Sequence, residues 1–247
     1  MENLTDKAFW IHYWELKTDI FKKINANYVF HDIFKSIMER SKIENVLEIG
    51  GFPGFFSVFI TKYYHVKSTI VDLVIHKPII AKLLAVNDLK EDAIETIETD
   101  LFEYHADKKF DLVFSNGFIE HFDDTSLVIS KHAEFLAENG TLCITLPNFK
   151  SLNGWFQKTF DRENYQKHNI ACMDIEFLHT TCEGLGLKNC KVFYYQFFSI
   201  WLEEKGRQNN FARFLRIICF YPLKVLVKLF SINSKWLSTY IIIIARK

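Results

Sequence analysis

The sequence predicts an α/β fold, a mostly parallel sheet with helices packed on both faces. Three observations lead there. From Asn45 onward, short β-branched runs alternate with helical segments, the pattern of parallel strands joined by helical crossovers. The first run, Val46–Ile49, passes straight into the glycine-rich turn Gly50-Gly51-Phe52-Pro53-Gly54 and then a helical stretch, the strand–turn–helix order of an α/β ligand site. Finally, 247 residues that are 49% hydrophobic supply core enough for one domain with elaborations.

The elements follow in order. Residues 7–40 read as a helical cap, because Phe9, Trp10, Tyr13, Trp14 and Leu16, then Ile20, Ile24, Val29, Ile33 and Ile37 recur near helical spacing. Strands are expected at Val46–Ile49, Ser68–Val71, Ile94–Glu98, Leu112–Ser115 and Thr141–Leu146, with helices over 55–63, 77–86 and 125–138. Met173–Gly184 reads as a further helix ending near Gly184 and Gly186, before a strand around Lys191–Tyr195. The isoleucine run within Tyr240–Ala245 is a closing strand. Two segments interrupt the alternation, 147–171 and 196–238; within a single domain over 1–247 they are expected to form a substrate lid or an interface. No repeat or low-complexity tract is present.

Composition removes several classes. Thirty basic and thirty acidic side chains cancel, so no global field selects nucleic acid. The five cysteines, Cys143, Cys172, Cys182, Cys190 and Cys219, are odd in number and form no C-x-x-C pair. They predict neither a metal site nor a disulfide framework, and they suit a reducing cytoplasm. The segment Met1 to Asp6 lacks the basic and apolar regions of a signal peptide. The most membrane-like run, Phe211 to Phe230, is interrupted by Arg213, Arg216, Lys224 and Lys228, so no spanning helix is expected. A cytoplasmic protein is the expectation.

The glycine turn carries the chemistry. A nicotinamide-type G-x-G-x-x-G begun at Gly50 needs glycine at Phe52 and Phe55, and a Walker-type loop needs a following Gly-Lys-Ser/Thr. The pattern acidic-x-Gly-x-Gly-x-Gly is met at Glu48, Gly50 and Gly54 and broken at Phe52. Next, Thr69-Ile70-Val71-Asp72 ends a strand in a carboxylate that can accept from both ribose hydroxyls of an adenosine ligand, or cap the following helix. Glu98-Thr99-Asp100-Leu101-Phe102, Phe110-Asp111-Leu112-Val113 with Glu120-His121, and Leu136-Ala137-Glu138-Asn139-Gly140-Thr141-Leu142 continue in order.

Taken together, these segments over 46–148 resemble the class I S-adenosylmethionine (SAM)-dependent methyltransferases. The resemblance implies a Rossmann-like three-layer sandwich with a seven-stranded, mostly parallel sheet whose last strand is antiparallel. It implies SAM as cofactor, contacted by Glu48, Gly50, Gly51, Gly54, Asp72, Asp100, Leu101 and Ser115, with no metal. Asp100 matches the residue that meets the adenine amino group, and Leu101 or Phe102 its apolar wall. Gly140 matches a glycine that ends the preceding helix as a left-handed cap. Phe52 replaces a glycine, so Gly51 is expected to absorb the unusual dihedral, with Phe52 packed into the core or over the methionine moiety.

SAM carries an activated methyl group, so the protein mainly holds an acceptor in line with the methyl–sulfur bond. A hydroxyl or protonated amine acceptor would be helped by a base. His121 is the first candidate, with a loop-shaping role as the alternative; His168 is the second, although a solvent-exposed loop histidine explains it more simply. Trp155, Phe156 and Phe160 either wall an apolar acceptor or pack their insertion down. In 207–230, from Arg207 on, apolar and cationic residues mix, and Pro222 is expected to break the segment into two helical pieces. A lid or a homodimer contact therefore ranks ahead of peripheral membrane contact, since a broken helix in a chain of zero net charge anchors poorly. The expected activity is methyl transfer to a small-molecule or lipid-like acceptor. The alternative is a SAM-binding module without catalysis, motivated by Phe52. Phe55 disfavours a nicotinamide-dependent oxidoreductase, and the lack of a basic face or an Asn-Pro-Pro-aromatic segment disfavours nucleic-acid methylation.

Overall fold

The structure, a computed structural model, describes residues 4–15, 20–195, 198–202 and 209–247. Leu16 and Arg207, used above, lie outside the described residues. The strands are β1 (Asn45–Ile49), β2 (Lys67–Asp72), β3 (Ile94–Glu98), β4 (Phe110–Asn116), β5 (Leu136–Pro147), β6 (Lys188–Tyr195) and β7 (Tyr240–Arg246). They form one sheet in the order β3-β2-β1-β4-β5-β7-β6. β1 runs parallel to both β2 and β4, and β2 parallel to β3. β7 runs against β5: the Asn148 N–H donates to the Thr239 carbonyl, and the Lys247 N–H to the Gly140 carbonyl. This is the expected Rossmann-like sheet, mostly parallel with its last strand reversed. The chain winds outward from β1 to β3 and then returns to β4, so the C-terminal ends of β1 and β4 flank the topological switch point where open α/β sheets bind ligands.

The helices are α1 (Lys7–Glu15), α2 (His31–Arg40), α3 (Phe55–Tyr64), α4 (Lys77–Val86), α5 (Thr125–Glu134), α6 (Leu152–Phe160), α7 (Arg162–Tyr165), α8 (Ile175–Gly184) and α9 (Asn210–Phe230). By contacts the chain divides into two compact units. One comprises Thr5–Asn116, Ser130–Cys143 and Arg246–Lys247, and the other comprises Leu4, Gly117–Ile129 and Ile144–Ala245.

The first unit is built on buried β1 and β4, whose apolar runs suit central parallel strands. Phenylalanines fill its core. Phe34 of α2 and Phe56 of α3 meet Phe114 of β4 with ring centroids 4.9 and 5.1 Å apart, edge to face. Each such pair adds about 0.5–1.5 kcal/mol beyond the area it buries. The leading cap is two helices rather than one long helical stretch, because residues 20–30 are irregular. Buried Asn87 explains this. Its Oδ1 accepts from the Ile24 N–H at 2.6 Å, and its Nδ2 donates to the carbonyls of Lys22 and Leu83 at 3.0 and 2.9 Å. Ile20 and Ile24 are buried along this non-helical run, so their spacing served the core without a helix.

The α5–β5 junction also differs from expectation. α5 stops at Glu134 and β5 begins at Leu136. The left-handed residue is Asn139, at φ 62°, not Gly140. Gly140 is needed for close approach instead: a Cβ there would sit 2.8 Å from the Ala137 carbonyl oxygen and 3.0 Å from that of Phe110.

In the second unit, Asp174 caps α8 by accepting from the N–H groups of Glu176 and Phe177. Phe156 of α6 packs with Phe198, Ile200, Leu202 and, from α9, Ala212 and Val227. α9 runs unbroken through Pro222 for 21 residues, which corrects the expected break. Proline deletes one ladder donor, and the helix continues past that gap. On the outer side of α9, Phe211, Phe214, Ile218, Tyr221, Val225 and Leu229 are all more than half exposed. Among the described residues, no helix is long and apolar enough to cross a membrane.

Candidate functional site

The first unit holds every residue expected to contact a cofactor. Glu48 leaves β1 with its carboxyl buried, and it accepts from both the backbone N–H and the hydroxyl of Ser57 in the first turn of α3. That N–H is one of the donors a helix start leaves unsatisfied, at the positive end of the helix dipole. Glu48 thus ties the strand end to the helix start and sets the size of the loop between them. Burial pushes its carboxyl up to about 8, against the opposing pull of the Ser57 bonds.

The loop's glycines have separate tasks. Gly50 and Gly54 take positive φ values of 64° and 99°. Gly51 does not, so the unusual dihedral expected there falls on Gly50. Gly51 is required by space, because a Cβ would lie 2.5 Å from Glu48 Cγ. Phe52 needs no left-handed conformation. Its side chain is 4% exposed and packs edge-on to Trp14 of α1, with centroids 5.1 Å apart, and near His76 at 5.6 Å. Of the two positions expected for Phe52, the structure shows the packed one.

Asp72 closes β2 and grips the same loop. Its Oδ2 accepts from the Phe52 N–H at 2.9 Å and its Oδ1 from the Val74 N–H at 3.0 Å. Burial raises its carboxyl to about 6. It also accepts from the Leu73 N–H, so of the roughly four acceptor sites of a carboxylate one remains for a hydroxyl donor. Asp100 follows β3 and turns its own loop, accepting from the Phe102 N–H at 2.8 Å. Leu101 beside it is buried. Ser115, near the end of β4, is fully buried, and its hydroxyl pairs with His132 Nε2 at 3.0 Å. Glu48, Gly50, Gly51, Gly54 and Asp72 therefore meet in one hydrogen-bonded assembly, while Asp100, Leu101 and Ser115 sit at the ends of neighbouring strands.

The second unit holds the two candidate bases, and they are together. His121, on a short 3-10 turn Ile119–His121, and His168 have ring centroids 4.7 Å apart. Asn169 straps the two segments. Its N–H donates to the Glu120 carbonyl at 2.7 Å, and its side-chain amide donates to the carbonyls of Phe122 and Asp123. His168 is half-buried against Phe149, at 4.7 Å, which corrects the simpler expectation of an exposed loop residue. Desolvation lowers His121 to about 3 and His168 to about 4. Both rings are neutral at pH 7, and both are far weaker bases than efficient proton abstraction calls for.

Residues 21–192 match the family model of a methyltransferase domain. The chain belongs to that family. This methyltransferase also shares its fold with solved structures. Phosphoethanolamine N-methyltransferase 2 of Haemonchus contortus, solved with S-adenosyl-L-methionine, aligns with a TM-score of 0.59 at 18% identity, over 87% of this chain and 52% of that one. The chain thus spans about half the length of that relative. A SAM-dependent methyltransferase from Archaeoglobus fulgidus aligns with a TM-score of 0.57 at 19% identity, over 98% of this chain and 100% of that one. The plantazolicin methyltransferase BpumL, solved with a pentazolic desmethyl analogue and S-adenosylhomocysteine (SAH), aligns with a TM-score of 0.59 at 13% identity, over 96% and 89%. A comparison with curated proteins gave no match.

Three residues of the methyltransferase escaped the sequence reading. Trp14 and His76 enclose Phe52, and the only signal for them was the unusual aromatic substitution in the glycine loop. Glu120 was read as half of a Glu-His pair. The structure shows it 1% exposed, with Oε2 lacking a hydrogen-bond partner among the described residues and its carboxyl raised by burial to about 8.

Proposed function

We propose that the chain transfers the methyl group of SAM to a small-molecule or lipid-like acceptor. The observation that carries this is the Glu48–Ser57 and Asp72–Phe52 bonding that shapes the glycine loop at the switch point of the sheet. The glycine loop ahead of α3 and the remaining acceptor capacity of Asp72 suit the carboxylate and ribose of SAM. The solved relatives named with SAM or SAH support the same cofactor. SAM supplies an electrophilic methyl group when bound. The chain's own part is to seat the cofactor, exclude water and orient the acceptor.

The acceptor class draws on two supports. The relatives are named for phosphoethanolamine and for plantazolicin. In addition, α9 presents an apolar outer side with Arg213, Arg216, Lys224 and Lys228 and no acidic residue, which suits contact with an anionic lipid surface from the cytoplasmic side. The unbroken helix removes one of the two reasons for ranking membrane contact below a lid or a dimer, and the zero net charge of the chain stands. Phe52 gives little support to a non-catalytic binding module, because the loop's positive-φ positions are filled by glycine.

The experiment is incubation of the purified protein with methyl-labelled SAM and separate polar and lipid fractions of a cell extract, beside a heat-killed control. Label entering a small molecule or lipid is the expected result. Label entering only nucleic acid or protein, or no transfer above the control, refutes the proposal.

A further inference from the structure

Glu120, His121 and His168 have a property that neither a proton-transfer role nor a loop-shaping role explains. One donor atom from each lies within 4.8 Å of the other two. His121 Nδ1 is 3.0 Å from the Lys167 carbonyl oxygen, and His168 Nδ1 is 2.8 Å from that of Asn164. A carbonyl only accepts, so in each neutral ring Nδ1 carries the proton and Nε2 the lone pair. Metal-binding histidines are held the same way: an outer carbonyl fixes the tautomer and aims the other nitrogen. The third member is a carboxyl that is 1% exposed, with one oxygen unpartnered among the described residues. A buried, unpaired carboxyl is costly unless something positive or protic meets it.

We propose that Glu120, His121 and His168 form a divalent transition-metal site of two imidazole nitrogens and one carboxylate oxygen, with coordination positions left open for an oxygen-donor ligand. Two histidines and a glutamate are a known zinc donor set, and three protein ligands leave zinc a further position for water or substrate. Donors on one tetrahedral zinc with bonds near 2.1 Å are about 3.4 Å apart, so donor atoms now up to 4.8 Å apart would draw together by up to about 1.4 Å. The strap at Asn169 makes such a closure local, since it already binds the turn carrying Glu120 and His121 to the loop carrying His168. All three residues belong to one compact unit. The proposal stands apart from the SAM reading, and either can fail alone.

The test uses the full chain, free of any affinity tag, stripped with chelator, loaded with zinc and separated from unbound metal by gel filtration. One zinc retained per chain is expected by elemental analysis. His168→Ala and Glu120→Gln should each weaken zinc binding by more than roughly 100-fold, beyond the cost of losing an outer-sphere partner. His105→Ala, an exposed histidine elsewhere, should retain the metal. Cobalt(II) loaded into the unmutated chain gives a second readout that needs no variant to fold, namely visible ligand-field bands of an imidazole-bound ion. Zinc lost from the unmutated chain on gel filtration, retention equal in all variants, or a cobalt spectrum matching the aquo ion would each overturn the proposal.

Discussion

Replacing Gly51 by alanine tests whether the glycine loop is held by Glu48. The added Cβ would stand 2.5 Å from Glu48 Cγ and 2.6 Å from Cδ, distances that real atoms do not sustain. Backbone and buried neighbours leave Glu48 one escape, which is to release Ser57. Overpacking costs about 1–3 kcal/mol and a lost hydrogen bond about 0.5–1.5 kcal/mol, so the variant should be about 2–4 kcal/mol less stable. With a urea slope of about 1–3 kcal/mol per molar, the unfolding midpoint falls by roughly 1–2 M at unchanged slope. The assay is urea unfolding followed by fluorescence, with SAM binding measured on the folded variant. SAM affinity should fall together with stability, because the same displacement reopens the loop. A variant as stable as the parent, binding SAM equally well, would refute this view of the loop.

Other predictions concern the same buried groups and the surface helix. In metal-free protein, Glu48 and Glu120 are both raised to about 8, so the folded chain holds protons that the unfolded chain has released from about pH 4.5 upward. Stability from this source is complete at the acid end and is lost as pH rises through about 8. The lowered histidines act in the opposite sense, and their contribution is complete above 6.5. Between pH 6.5 and 8, stability should therefore fall with pH by up to about 1.4 kcal/mol per unit for each glutamate. Glu48→Gln should remove about half of that slope in denaturation series; an unchanged slope contradicts the assignment. Phe114→Ala should cost about 3–5 kcal/mol by calorimetry or urea unfolding, since its ring joins Phe34 and Phe56 in the core. For α9, co-sedimentation with anionic vesicles at low salt is expected, and it should be weakened when Phe214 and Tyr221 are both made serine. A protein that stays in the supernatant removes the lipid contact.

Most of the sheet was legible because its central strands carry short, buried apolar runs, Val46-Leu47 in β1, Ile70-Val71 in β2 and Leu112-Val113-Phe114 in β4. The helices after them were legible too: Phe55–Tyr64 follows a glycine loop, and Lys77–Val86 carries Pro78 in its first turn. Failures came where a distant residue decides local structure. Nothing near residues 20–30 announces that Asn87 will take up their backbone groups. The loop's dihedrals followed a similar logic. Two adjacent glycines look equivalent in sequence, and only the position of the Glu48 side chain separates the one needing positive φ from the one needing space. Glu120 and His121 were visible as a pair, but His168 joins them through Asn169, nearly fifty positions along the chain. Pro222 misled because proline weighs against a helix locally, yet α9 continues through it from Asn210 to Phe230.

The central claim is that this loop seats SAM despite the phenylalanine in place of a glycine. Isothermal titration of the purified chain with SAM, and separately with its demethylated product, tests it most directly. Saturable binding of both is predicted, with affinity lost on Asp72→Ala while the variant stays folded. Absence of measurable binding of either ligand at millimolar concentration would contradict it.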